Sequence, residues 1–71
     1  MGELNGFPKR LRELRESHHM SRLVLSQLCG LSKNMISMYE RGEKTPSAEN
    51  LIQLADFFGV SLDDLVARKK F

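Results

Sequence analysis

At 71 residues the chain is too short for two hydrophobic cores and close to the size at which a single core is marginal. Apolar residues make up 41% of it, enough to fold, yet no run approaches the roughly 18 consecutive apolar residues of a membrane span. The net charge of +2 is modest and excludes neither an acidic nor a basic partner, so its distribution along the chain has to carry that argument.

Hydrophobic spacing and capping residues predict five helices and no strands, an all-α fold in which residues 1–71 read as one small domain. The first helix spans roughly 7–18, with Phe7, Leu11, Leu14 and His18 as its inner stripe and Pro8 tolerable in its first turn. The second covers about 22–29, capped by Ser21, and Cys29 falls on its inner face. The third covers about 33–41 and stops at Gly42. The fourth, about 47–58, is entered through Thr45-Pro46-Ser47, turns Leu51, Leu54, Ala55 and Phe58 inward and ends at Gly59. The fifth, about 62–67, has Ser61 as N-cap, Asp64 favourably placed for the helix dipole, and Val60 with Leu65 as a hydrophobic staple.

Residues 20–42, MSRLVLSQLCGLSKNMISMYERG, hold the most informative pattern. Two short helices meet at Gly30, where the chain must turn through a left-handed residue; Leu31 plugs the corner and Ser32 caps the second helix. This is the arrangement of a helix-turn-helix, which carries its second helix into the DNA major groove. Ile36 and Tyr39 face inward, leaving Lys33, Asn34, Ser37 and Met38 as an outward face without acids. Met35 is a candidate gap-filler, whereas Met38 is expected outward, where its flexible chain could meet a thymine methyl.

Charge agrees with that placement. Residues 1–45 carry 8 Lys/Arg against 5 Asp/Glu, residues 46–67 carry 4 acids and no Lys/Arg, and Arg68, Lys69 and Lys70 restore positive charge. Such an asymmetry would turn the first three helices toward a polyanion, although small proteins also scatter charge unevenly.

The stretch from Leu11 to Val66 resembles the lambda-repressor-like helix-turn-helix family of phage repressors, Cro proteins and XRE-type regulators. The signposts are LRELR at 11–15, GLSKNMISMYERG at 30–42, TPS at 45–47 and LIQLADFFGVSLDDL at 51–65. Arg22 and Ser26 depart from the glutamine and alanine usual in the family. The resemblance implies a transcriptional regulator, a repressor, that binds double-stranded DNA as a homodimer on an inverted-repeat operator. It also implies that Arg15 and Glu40 pair across the first and third helices as a structural ion pair.

On that reading, contacts divide into those that hold and those that read. Arg22, Ser32, Arg41, Lys44 and Thr45 are expected on phosphates; Lys33, Asn34, Ser37 and Met38 are expected on base edges. Lysine can donate to guanine and asparagine can pair with adenine, so the half-site should contain both. Self-association is expected from Phe57, Leu62, Val66 and Phe71, by analogy with the family's fifth-helix contacts.

The remaining features are read more plainly. Cys29 is a small hydrophobe of the core before it is a redox sensor, and one cysteine excludes an internal disulfide framework and suits a reducing cytoplasm. His18 and His19 point apart on a helix and lack a ligand cluster, so they serve the negative end of the first helix and no metal or cofactor is expected. The start, MGELNGFPK, lacks a signal peptide's apolar region, and Gly6 stands where a myristoylation signal needs Ser or Thr; no membrane partner is expected. No phosphate loop, HExxH or triad-like set is present, so no enzyme is expected. Val24 and Leu28 lie on the usually solvent-facing side of the second helix, either as scattered surface apolarity or as the face of a protein-binding adaptor or antitoxin-like module, the competing function.

Overall fold

Four of the five helices begin on a serine whose hydroxyl accepts a first-turn amide. Ser21, Ser32, Ser47 and Ser61 accept from the N–H groups of Val24, Met35, Asn50 and Asp64. Each bond satisfies one of the orphan donors of a helix start, worth about 0.5–2 kcal/mol apiece. The computed structural model describes residues 6–66, which form α1 (Phe7–Ser17), α2 (Arg22–Cys29), α3 (Lys33–Arg41), α4 (Ala48–Phe58) and α5 (Leu62–Leu65) with no strand among the described residues.

The first four helices end alike. Residues Gly30, Gly42 and Gly59 are left-handed, with φ of 71°, 74° and 68°, and His19 takes the same role after α1 at φ 57°. The amide beyond each closes back on the last turn: Met20 on the Arg15 carbonyl, Leu31 on Ser26, Glu43 on Met38 and Val60 on Ala55. At Gly30 an added Cβ would meet only ordinary contact, 3.8 Å from the Gln53 Nε2. The glycine is therefore required by its backbone angle and not by crowding.

One apolar cluster joins all five helices, with Phe7, Leu11, Leu25, Ile36, Tyr39, Leu54 and Leu65 almost fully buried. Phe7 meets Tyr39 edge-on at 5.7 Å, locking α1 to α3. The Tyr39 hydroxyl is not stranded by burial, because it accepts from Asn50 Nδ2 at 3.0 Å. Gln53 Nε2 donates to the Cys29 carbonyl and ties α4 to the open end of α2. Cys29 itself lies in the core, and burial pushes its thiol pKa up.

Some expectations change. The first helix stops at Ser17, and His18 is exposed, so it is not part of the inner stripe; its Nδ1 lies 2.9 Å from the Leu14 carbonyl at the helix end, and its ring meets Phe58 edge-on. The fourth helix starts at Ala48 because Ser47 is its cap, and α5 is a single turn ending at Leu65. Val66, expected on an exposed interface, is 7% exposed and belongs to the core. It follows α5 as the capping residue, where the chain turns its side chain back into the cluster. Residue 67, Phe71 and the basic Arg68, Lys69 and Lys70 lie outside the described residues.

Candidate nucleic-acid interface

The α2–α3 corner exists because three local demands coincide: a left-handed Gly30, the partly buried Leu31 packed against the core, and the Ser32 cap. α3 then packs against both α1 and α2 through Ile36, Tyr39 and Glu40. That leaves Ser32, Lys33, Asn34 and Arg41 exposed, with Ser37 and Met38 half-buried beside them. Met35 packs against the core. The exposed set matches hydrogen-bonding groups of base-edge and phosphate reach, since lysine and asparagine both extend donors without a neighbouring acid on the helix.

Ser26 stands where the resembled family has alanine, and it is 2% exposed. Its hydroxyl donates to the Leu23 carbonyl at 2.7 Å, so the extra oxygen is satisfied inside α2 without any partner from another helix.

The polar centre of the motif is Glu40, whose side chain is 0% exposed. Arg15 donates to it twice, from Nε at 2.6 Å and from Nη2 at 3.1 Å, and Nη1 donates to the Met20 carbonyl at 2.9 Å. The hydrogen bond to Glu40 is the main reason the Arg15 guanidinium pKa is raised. Two further arginines approach the same carboxylate: Arg22 Nε at 3.1 Å and Arg12 Nε at 3.8 Å. A single buried carboxylate thus bonds α1, the start of α2 and the end of α3 together. Sequence reasoning reached Arg15 and Glu40 but missed Arg12 and the involvement of Arg22. The available signal was the placement of Arg12 one helical turn before Arg15 on the same stretch of α1.

Beyond α3, Arg41 pairs with Glu43 through two hydrogen bonds of 2.9 and 3.1 Å, both side chains being more than half exposed. The pairing lowers the Glu43 pKa and raises that of Arg41. Lys44 and Thr45 are exposed in the loop that follows. On α5 and α4, Leu62, Phe57 and Ile52 are exposed. Arg10 links α1 to α5 by donating to Asp64 at 3.0 Å. No cluster of metal-ligating residues occurs among the described residues, and no helix among them is long and apolar enough to cross a membrane.

Comparison with known proteins places this geometry. The profile of the helix-turn-helix family matches residues 11–65. The chain is 39% identical over 61 residues to the HTH-type transcriptional regulator AnsR of Bacillus subtilis, covering 86% of this chain and 53% of AnsR. It is 31% identical over 61 residues to the cryptic phage CTXphi transcriptional repressor RstR of Vibrio cholerae, covering 86% of this chain and 55% of RstR. The chain thus spans about half the length of these curated relatives. Among solved structures it superposes on the restriction-modification controller protein C.AhdI from Aeromonas hydrophila with a TM-score of 0.79 and 34% identity, covering 87% of this chain and 94% of that one. The matched profile, the relatives and the α2–α3 corner agree: the chain belongs to the lambda-repressor-like, XRE-type helix-turn-helix family.

Proposed function

We propose that the chain is a sequence-specific double-stranded DNA-binding transcriptional regulator, acting as a repressor, that reads the major groove with α3 as a homodimer. The observation that carries this reading is the face of α3: Lys33 and Asn34 exposed at the start of a helix whose opposite side is locked into the core. The names of AnsR and RstR support regulation and repression. In this reading Lys33, Asn34, Ser37 and Met38 meet base edges, and Arg22, Ser32, Arg41, Lys44 and Thr45 meet phosphates. Arg41 must exchange Glu43 for a phosphate, whose oxygens its planar guanidinium can meet with the same Nε and Nη2 donors it now gives to the carboxylate. Leu62 and Phe57 supply the two-fold interface, now without Val66.

Selection from random duplexes, followed by binding across a salt series, tests the reading. With about four phosphate contacts per subunit, the dimer's log K should fall with log salt at a slope of about −7. A protein that binds no selected duplex at low salt, or binds with no salt dependence, is not this regulator. The assembly is tested by Leu62→Glu, which would place a carboxylate against its symmetry mate. Sedimentation equilibrium should show a monomer, and gel shifts should show lost affinity for an inverted repeat with half-sites about 34 Å apart. A wild-type monomer that binds one half-site as well as the full repeat would refute the dimer and leave the groove-reading intact.

A second reading has its own observation. Leu23, Val24 and Leu28 are all exposed on α2, Leu28 at 58%. A protein-binding adaptor using that face is the alternative, and substitution there separates the two.

A further inference from the structure

We propose that Arg12 and Arg22 form a two-guanidinium clamp for a single phosphodiester of duplex DNA, with Glu40 as the buried base that holds both. The proposal rests on the DNA-binding reading and adds to it a contact from α1 and a reason for the arginine that begins α2.

The three arginines around Glu40 are not equivalent. Arg15 is buried, and all three of its guanidinium nitrogens are committed inward, two to Glu40 and one to the Met20 carbonyl. Arg12 and Arg22 are 48% and 43% exposed, and each approaches the same Glu40 oxygen, Oε1, through its Nε. Glu40 is the only hydrogen-bonding or ionic partner of either guanidinium among the described residues. Their terminal amino groups bond no other described residue and are available to a ligand. Two forks converging on one oxygen present a doubled donor set, and the guanidinium fork matches the oxygens of a phosphate.

Charge points the same way. Three guanidiniums share the Glu40 carboxylate, and among the described residues the only other acid within ion-pair distance of them is the exposed Glu16, 3.9 Å from Arg15. The cluster stays positive with both acids counted, so it attracts an anion. Arg22 is also the first residue of α2, where Ser21 Oγ takes the Val24 amide and the amides of Arg22 and Leu23 remain as first-turn donors. The Arg22 Nε hydrogen bond to Glu40 removes part of the rotamer freedom that a free arginine loses on meeting a ligand, and Arg12 Nε lies at ionic distance, 3.8 Å, from the same oxygen. Because Glu40 sits in the last turn of α3, a phosphate held by the clamp also fixes where α3 lies in the groove.

The test uses Arg12→Gln, Arg22→Gln and the double variant on a duplex selected with the wild-type protein, over a potassium chloride series. Each single variant should weaken binding about tenfold on the selected and on random duplexes alike. The double variant should lower the slope of log K against log salt by about 0.9 per subunit, the value of one phosphate. A loss near 1.8 per subunit would assign the two arginines to separate phosphates. An Arg12→Gln protein that binds as tightly as wild type would remove Arg12 from the interface. Either result overturns the clamp while wild-type binding preserves the groove-reading; a wild type that binds no duplex overturns both. Thermal unfolding checks that each variant is folded. Should a glutamine variant unfold, Arg12→Lys asks the same question by keeping the charge and losing the fork: reduced affinity at an unchanged slope supports the clamp, and unchanged affinity overturns it.

Discussion

α2 and α3 are built to one plan and turned to opposite uses. Each starts on a serine that caps an amide in the first turn and ends on a left-handed glycine. Each buries a short stripe, Leu25, Ser26 and Cys29 in α2 against Ile36, Tyr39 and Glu40 in α3. The difference lies on the outside. After Arg22 at its start, α2 shows Leu23, Val24, Gln27 and Leu28 to solvent, whereas α3 and its cap show Ser32, Lys33, Asn34 and Arg41. Caps and turns decide where a helix stands; what it can meet is decided by the few residues its packing leaves over. The comparison extends inward, because α3 alone buries a charge, and that charge is the point at which the motif is tied to α1.

The largest effect should follow from breaking that tie. Glu40→Ala would leave Arg15 buried with no carboxylate, and removing one partner of a buried pair costs about 3–5 kcal/mol. Urea unfolding should show the loss directly, and the thermal midpoint should fall by more than about 12 °C. Arg15→Met combined with Glu40→Leu should recover most of the stability, since an apolar pair of similar volume avoids the desolvation of the charges. A loss below about 1 kcal/mol in Glu40→Ala would mean that the hub holds nothing together, and the inner difference between α2 and α3 would vanish.

Next in size is the outer difference. Asn34→Ala should relax preference at one position of each half-site by about 1–3 kcal/mol, while Lys44→Ala weakens all sequences alike. Binding-site selection with each variant checks this. The reverse pattern, with Lys44 altering preference and Asn34 altering nothing, would show that α3 is not the reading helix.

The two ends of α2 supply a smaller contrast. The corner after it uses Gly30, but the corner before it places His19 at φ 57°, where a side chain crowds the backbone. His19→Gly should therefore raise stability by about 0.5–1 kcal/mol, read as a shift in urea midpoint without a change of slope. Glycine's greater freedom in the unfolded chain offsets part of the relief. A destabilised variant would show that the His19 side chain makes a favourable contribution larger than its backbone strain.

What could be read from the sequence follows the same division between local and non-local causes. The Gly30–Ser32 corner, the Ser61 cap with its Val60 and Leu65 neighbours, and the inward places of Ile36 and Tyr39 are set by residues a few positions apart, so spacing and capping chemistry suffice. Val66 was misplaced because one turn of helix gives too short a period to say which way the next side chain faces. His18 was misplaced because α1 ends one residue early and the histidine becomes its cap. The Glu40 hub shows the limit most sharply. Resemblance supplied Arg15, but the approach of Arg12 and Arg22 depends on how α1, α2 and α3 meet, which no local spacing expresses.

The smallest expected effect decides between the two readings of α2. Val24→Ser combined with Leu28→Ser exchanges two exposed apolar side chains for polar ones on a helix whose buried stripe is untouched. Surface substitutions of this kind change stability by about 0.5 kcal/mol or less. If α3 reads DNA and α2 only supports it, operator affinity and the salt slope should stay as in wild type. If the apolar face of α2 is the working surface, this variant loses the activity while Asn34→Ala keeps it, because the two faces belong to different helices and share no side chain. A loss of operator affinity beyond about threefold, roughly 0.7 kcal/mol, would place the α2 face within the DNA complex or the dimer. The contrast between an idle and a working face would then be wrong, and the apolar residues of α2 would count among those that hold the complex together.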